Sequence, residues 1–164
     1  MDFNIVKTKL LEWMETFVEQ SHPSLGNWPP CPYARSARLN NKINILESNI
    51  DNLSNEVKQC LSSLELYDVI IICFDHTQIS VTDCESLVNR LNVELMPQNY
   101  VILEDHPDSI EEISGVVMNF GYCGLLIISE LTKLNQASNV LKKKGYYNSW
   151  TQENLDDVVS WRFK

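Results

Sequence analysis

Along the first twenty residues, Val6, Leu10, Met14, Phe17 and Val18 recur at helical steps, with Lys7, Glu12, Glu15 and Glu19 between them. That period predicts an amphipathic helix over 2–20, ending before His22-Pro23. The pattern then stops. Ser21 to Pro32 holds four prolines and one glycine, which marks a loop, with Leu25 and Trp28 available to pack it down. Alternation over Lys42–Leu46 predicts a half-exposed strand. Ser48 then stands where it would cap a helix with Ile50, Leu53, Val57, Cys60, Leu61 and Leu64 inward. Val69–Phe74 is an unbroken apolar run, the pattern of a strand covered on both faces, and is the expected centre of the sheet.

Thr82-Asp83-Cys84-Glu85 has the form of a capping box ahead of Leu87, Val88 and Leu91, so a helix is expected before a third strand at Tyr100–Leu103. Ser109-Ile110-Glu111-Glu112 has the same form and predicts a short helix stopping near Gly115. Gly124–Ile128 reads as a fourth strand, with Val116–Phe120 as its hairpin partner through 121–124. Leu131, Leu134, Ala137, Ser138 and Leu141 mark a further helix, closed by Lys142–Lys144 and Gly145. A last helix is expected over 151–161. Helices placed between successive strands predict one α/β domain over 1–164, with a four- or five-stranded mixed or mostly parallel sheet and flanking helices. A ferredoxin-like α+β sandwich is the alternative.

Composition narrows the function classes. The longest apolar run is far short of the roughly 20 residues of a membrane span, and the N-terminus lacks the order of a signal peptide, so a soluble cytoplasmic protein is expected, with no membrane partner. Five cysteines without a Cys-x-x-Cys pair suggest neither a disulfide framework nor a zinc ribbon. The net charge is −9, and Gln59 to Thr132 carries twelve acidic residues against one basic residue, Arg90. A broad basic face for nucleic acid is therefore not expected.

Two constellations could carry chemistry. In Asn27-Trp28-Pro29-Pro30-Cys31-Pro32, Pro32 suits the first position of a helix and would make Cys31 its N-cap, where free N–H groups favour a thiolate. Arg35 and Arg38 downstream would hold a small anionic substrate. The plainer reading is a stiff helix start with a gap-filling thiol. Cys31-Pro32-Tyr33-Ala34 resembles the Cys-Pro-Tyr-Cys motif of glutaredoxins, without the second thiol and without a strand ahead of it. Trp13, Cys31-Pro32-Tyr33-Ala34, Arg35 and the strand at Lys42 together resemble a bacterial family in which an N-terminal helix leads into Cys-Pro-Phe-Ala and a basic residue. That likeness covers about a quarter of the chain and brings no activity with it.

The second constellation follows the strands: Asp75-His76, Glu104-Asp105-His106-Pro107-Asp108 and Ser129-Glu130. Parallel strands would gather them at one sheet edge, where open α/β sheets bind ligands. His76, His106, Asp75, Glu104 and Asp105 could then hold a divalent metal, or His76 and His106 could act as acid and base beside Cys31. His22 is a further candidate base. The plainer reading makes the aspartates turn and cap residues, and Cys60, Cys73 and Cys84 core residues, with Cys123 in a turn. The sequence thus offers a small enzyme or metal-binding protein. Alternatively, it is a noncatalytic interaction module using the N-terminal helix and the Trp150–Phe163 tail toward a protein partner or a second copy.

Overall fold

The apolar run Val69–Phe74 forms an interior strand, and the other elements are arranged about it. The computed structural model describes residues 1–164. In chain order they are α1 (Phe3–Trp13), α2 (Ala34–Leu39), β1 (Ile43–Glu47), α3 (Leu53–Cys60), β2 (Val69–Phe74), α4 (Val81–Leu95), β3 (Tyr100–Asp105), β4 (Glu112–Ile113), β5 (Val116–Val117), β6 (Gly124–Glu130), α5 (Leu131–Lys143) and α6 (Gln152–Val158). The main sheet has the order β1-β2-β6-β3; β1 and β2 are parallel, and β6 runs antiparallel to both its neighbours. It is a mixed sheet flanked by helices, an α/β architecture.

Alternation along β2 explains its unbroken hydrophobicity. Ile70, Ile72 and Phe74 pack with Leu53 and Val57 of α3 and Val88, Leu91 and Leu95 of α4, whereas Ile71 and Cys73 meet Val6 and Leu10 of α1 on the other face. Neither face is open to water, so neither can be polar. Asp2 starts α1 by accepting the Asn4 N–H at 3.0 Å. Cys60, Cys73 and Cys84 are core residues, as expected; Cys123 is too, only 1% exposed, rather than a turn residue.

Several local expectations change for identifiable reasons. No helix joins β3 to β6. The 109–112 segment is not capped as a helix, because Asn119 Oδ1 takes the Glu111 N–H at 2.8 Å and Glu112 pairs with Val117 instead. Ser114 and Gly115, with φ of 51° and 81°, make the tight two-residue turn that joins β4 to β5. Val116–Val117 therefore pairs with β4 and not with β6. The helix after β2 begins two residues earlier than its capping-box pattern suggests: Ser80, not Thr82, is the cap, and its Oγ accepts the Asp83 N–H at 3.1 Å. Asn49, not Ser48, caps the turn before α3, accepting the Asn52 N–H at 2.9 Å.

With β6 inserted between β2 and β3, β3 becomes an edge strand. Its outward N–H and C=O at Ile102 are both taken by the buried side chain of Asn92 on α4, each at 2.9 Å, so a helix side chain stands in for the missing neighbour strand. The chain ends in a 3-10 turn, Ser160–Phe163, anchored by Arg162. This guanidinium is 4% exposed, donates to Ser138 Oγ at 2.8 Å, and has no carboxylate in ion-pair reach. No helix is long and apolar enough to cross a membrane.

Candidate functional site

Because β6 lies antiparallel between them, β2 and β3 point the same way and their C-terminal ends share an edge. This brings His76 and His106 together, with perpendicular rings 5.7 Å apart between centroids. Ser129 and Glu130 do not join them. The reversed direction of β6 puts these two at the opposite edge, where Glu130 meets Asn99 at 3.1 Å and Lys133 at 3.4 Å.

The paired imidazoles are not both free to act. His106 is 3% exposed, with Nε2 3.0 Å from the Ile79 carbonyl and Nδ1 accepting the Asp108 N–H at 3.2 Å. The second bond makes Nδ1 the acceptor, so Nε2 carries the proton and donates it to Ile79. Both nitrogens are thus spent on pinning the 105–109 turn to the segment before α4. Asp75 is committed as well: its carboxylate accepts from the Thr77 hydroxyl at 2.6 Å and the Thr77 N–H at 3.0 Å, bonds that hold its pKa below the usual carboxylate range. Asp105 accepts the Phe120 N–H and an Asn119 amide proton, each at 2.8 Å. His76, His106, Asp75, Glu104 and Asp105 therefore do not converge as a ligand set, and no group of three His, Cys, Asp or Glu side chains is placed to hold a metal ion.

Cys31 lies elsewhere. Its N–H donates to Val18 O and its carbonyl accepts from Ala34, while α2 starts at Ala34 with Tyr33 as its cap. Cys31 is thus three residues ahead of a six-residue helix and is not its N-cap. The residue is exposed, yet crowding around the thiol pushes its pKa up; the N–H groups of Tyr33 and Ala34 oppose this and Glu19 adds to it. A thiol raised in this way is mostly protonated at neutral pH. Arg38 is not available to a substrate: it forms a two-bond fork with Glu19 at 2.8 and 2.9 Å and reaches Glu15 at 3.1 Å. Arg35 is exposed and makes no ion pair. His22 packs its ring 5.1 Å from Phe17 and bridges to Trp28.

The concave feature that the fold does build runs along β3. It is a groove of about 880 Å³ between α4, the β4–β5 hairpin and the C-terminal α6 segment. Its lining includes the half-buried apolar side chains Leu103, Ile127, Trp13, Met118, Val158 and Trp161. Eight carboxylates stand around these, Glu85, Glu104, Asp105, Glu111, Glu112, Glu153, Asp156 and Asp157, with no lysine or arginine among the lining residues. His106 contributes to the wall; His76 and Cys31 do not.

The charges inside the groove are poorly solvated and mutually repulsive. Burial raises the pKa of Glu104, of Asp105 and of Glu111. For Glu111 the neighbouring carboxylates Asp105, Glu104 and Asp157 add to the shift. An acid raised in the folded state keeps its proton when the unfolded chain has lost it. Stability therefore falls as pH rises from the ordinary carboxylate value through the raised folded one. Glu111→Gln removes that penalty, so urea unfolding should show a higher midpoint than the parent at pH 7 and no gain at pH 3, where both side chains are neutral.

This groove was not visible in the sequence, because its acids come from segments at 85, 104–105, 111–112 and 153–157. The one signal was the excess of acids between Gln59 and Thr132, which argued against nucleic acid but also marked a surface suited to cations. Comparison with family models, with curated proteins and with solved structures finds no match to this chain.

Proposed function

We propose that this protein is a noncatalytic interaction module whose groove along β3 takes a positively charged segment of a partner. The observation that carries this reading is the concentration of eight carboxylates around a partly exposed apolar floor, without one cation to offset them. Such a site is costly when empty, because raised acids repel one another, and a bound cation relieves both repulsion and desolvation. The catalytic alternative needs Cys31, His76 and His106 in one cavity. Cys31 instead has Val18, Ala34 and Tyr146 about it, and the His106 nitrogens are both bonded.

Titration with a lysine-rich peptide, followed through the fluorescence of Trp13 and Trp161, tests the proposal. Saturable binding is expected at low ionic strength, weakening by at least about tenfold as salt shortens the screening length to a few ångströms. Absence of saturation at low salt, or binding indifferent to salt, would overturn the reading.

A further inference from the structure

We infer that the occupant of this groove is a basic amphipathic helix and not an added β-strand. This rests on the interaction-module reading above and goes further by naming the partner's form. A groove beside an edge strand invites strand addition, in which main-chain hydrogen bonds supply the affinity. Here those bonds are already taken. Asn92 occupies both the N–H and the C=O of Ile102, and the His106 carbonyl accepts from the Ser109 N–H at 2.9 Å and from Asn119 at 3.3 Å. Only Glu104, between them, keeps its place on the outer edge, too short a stretch to template a strand.

An extended ligand would leave its own N–H and C=O groups unpaired against this wall, and a buried main-chain group without a partner opposes binding. A helix brings its main-chain bonds with it. The lining also suits a helix. Leu103, Ile127, Trp13 and Trp161 ask for an apolar stripe, and the acids that line the same groove, Glu104, Glu111 and Asp157 among them, ask for lysines or arginines beside that stripe. A small polyamine supplies the charge but nothing to cover two tryptophans.

Three probes separate the possibilities by calorimetry on the full chain: a Leu/Lys peptide with leucines at helical spacing, a peptide of the same composition in strict alternation, and spermine. The helical pattern should bind at least about tenfold tighter than either other probe, gain helical circular dichroism on binding, and lose about tenfold in Asp156→Asn/Asp157→Asn, whose two sites are exposed on α6. Tighter binding of the alternating peptide or of spermine overturns the helix inference and leaves the cationic groove standing. Binding of the helical peptide unchanged by the double substitution overturns it as well, since the peptide then sits elsewhere. If no probe binds, both the inference and the interaction-module reading fail.

Discussion

Gly124→Ala should be among the most damaging single substitutions in this protein, with a loss of about 3 kcal/mol or more, out of a total that for a domain of this size is on the order of 5–15 kcal/mol. Gly124 opens β6 directly opposite Phe74, the last residue of β2. A Cβ placed there would stand 2.2 Å from two atoms of the Phe74 ring, and that ring is fully buried among Ile72, Cys84 and Leu126. Neither strand can give way without shifting the ladder, so the ring must leave its rotamer or β6 must detach at its first residue. Chemical denaturation measures the loss. The mechanism is tested by adding Phe74→Leu: alone it destabilises, but in the Gly124→Ala background it should restore part of the loss. The two effects should thus be non-additive by about 1 kcal/mol or more. Strict additivity would show that the clash is not the cause.

The second large effect is expected at Asn119, the hub of the loop between β3 and β6. Its amide donates to Asp105 Oδ1 at 2.8 Å, to Ser109 O at 3.0 Å and to His106 O at 3.3 Å, and its oxygen accepts the Glu111 N–H. Asn119→Asp keeps the shape but exchanges the donor for an oxygen that faces a carboxylate and two carbonyls. At pH 7 the loss should be about 3 kcal/mol, because it unites a broken hydrogen-bond network with a new like-charge contact. The loss should shrink as the pH falls and the new carboxyl takes a proton, since it can then donate once. Asn119→Ala, which loses the bonds without adding charge, should be the milder variant at pH 7 and should show no such recovery. Equal losses for the two at every pH would remove Asp105 from the explanation.

These two positions also show which parts of the structure could be read from the chain. Periodic segments were legible: Val69–Phe74 as the interior strand, the apolar stripe of α1, and the helix over Leu131–Lys143 with its stop at Gly145. The neighbourhood of His76 and His106 was legible too, because two strands of equal direction carry them to one edge. The position of β6 between β2 and β3 was not, because the hydrophobic period of a strand carries neither its direction nor its neighbours. The segment from Ser109 to Gly115 is not the short helix its capping-box pattern predicts, because its decisive bond comes from Asn119, seven residues beyond that pattern.

The candidate site was less legible than the fold for the same physical reason. Residue types that suit catalysis, a cysteine between prolines and histidines after strands, are also types that serve as pins, and only geometry distinguishes the two uses. His106 spends both nitrogens on main-chain groups, and Arg38 spends its guanidinium on Glu19 and Glu15. Carboxylates without a cationic partner are the residue class left over, and the fold collects eight of them around one groove.

The most direct measurement is an amide and indole chemical-shift map of the protein titrated with the helical-pattern Leu/Lys peptide. The largest changes should fall on Glu104, Glu111 and the Trp161 indole, whose N–H donates to the Asp157 carbonyl at 2.9 Å. Changes centred on Cys31 and Arg35, with the β3 groove silent, would contradict the account.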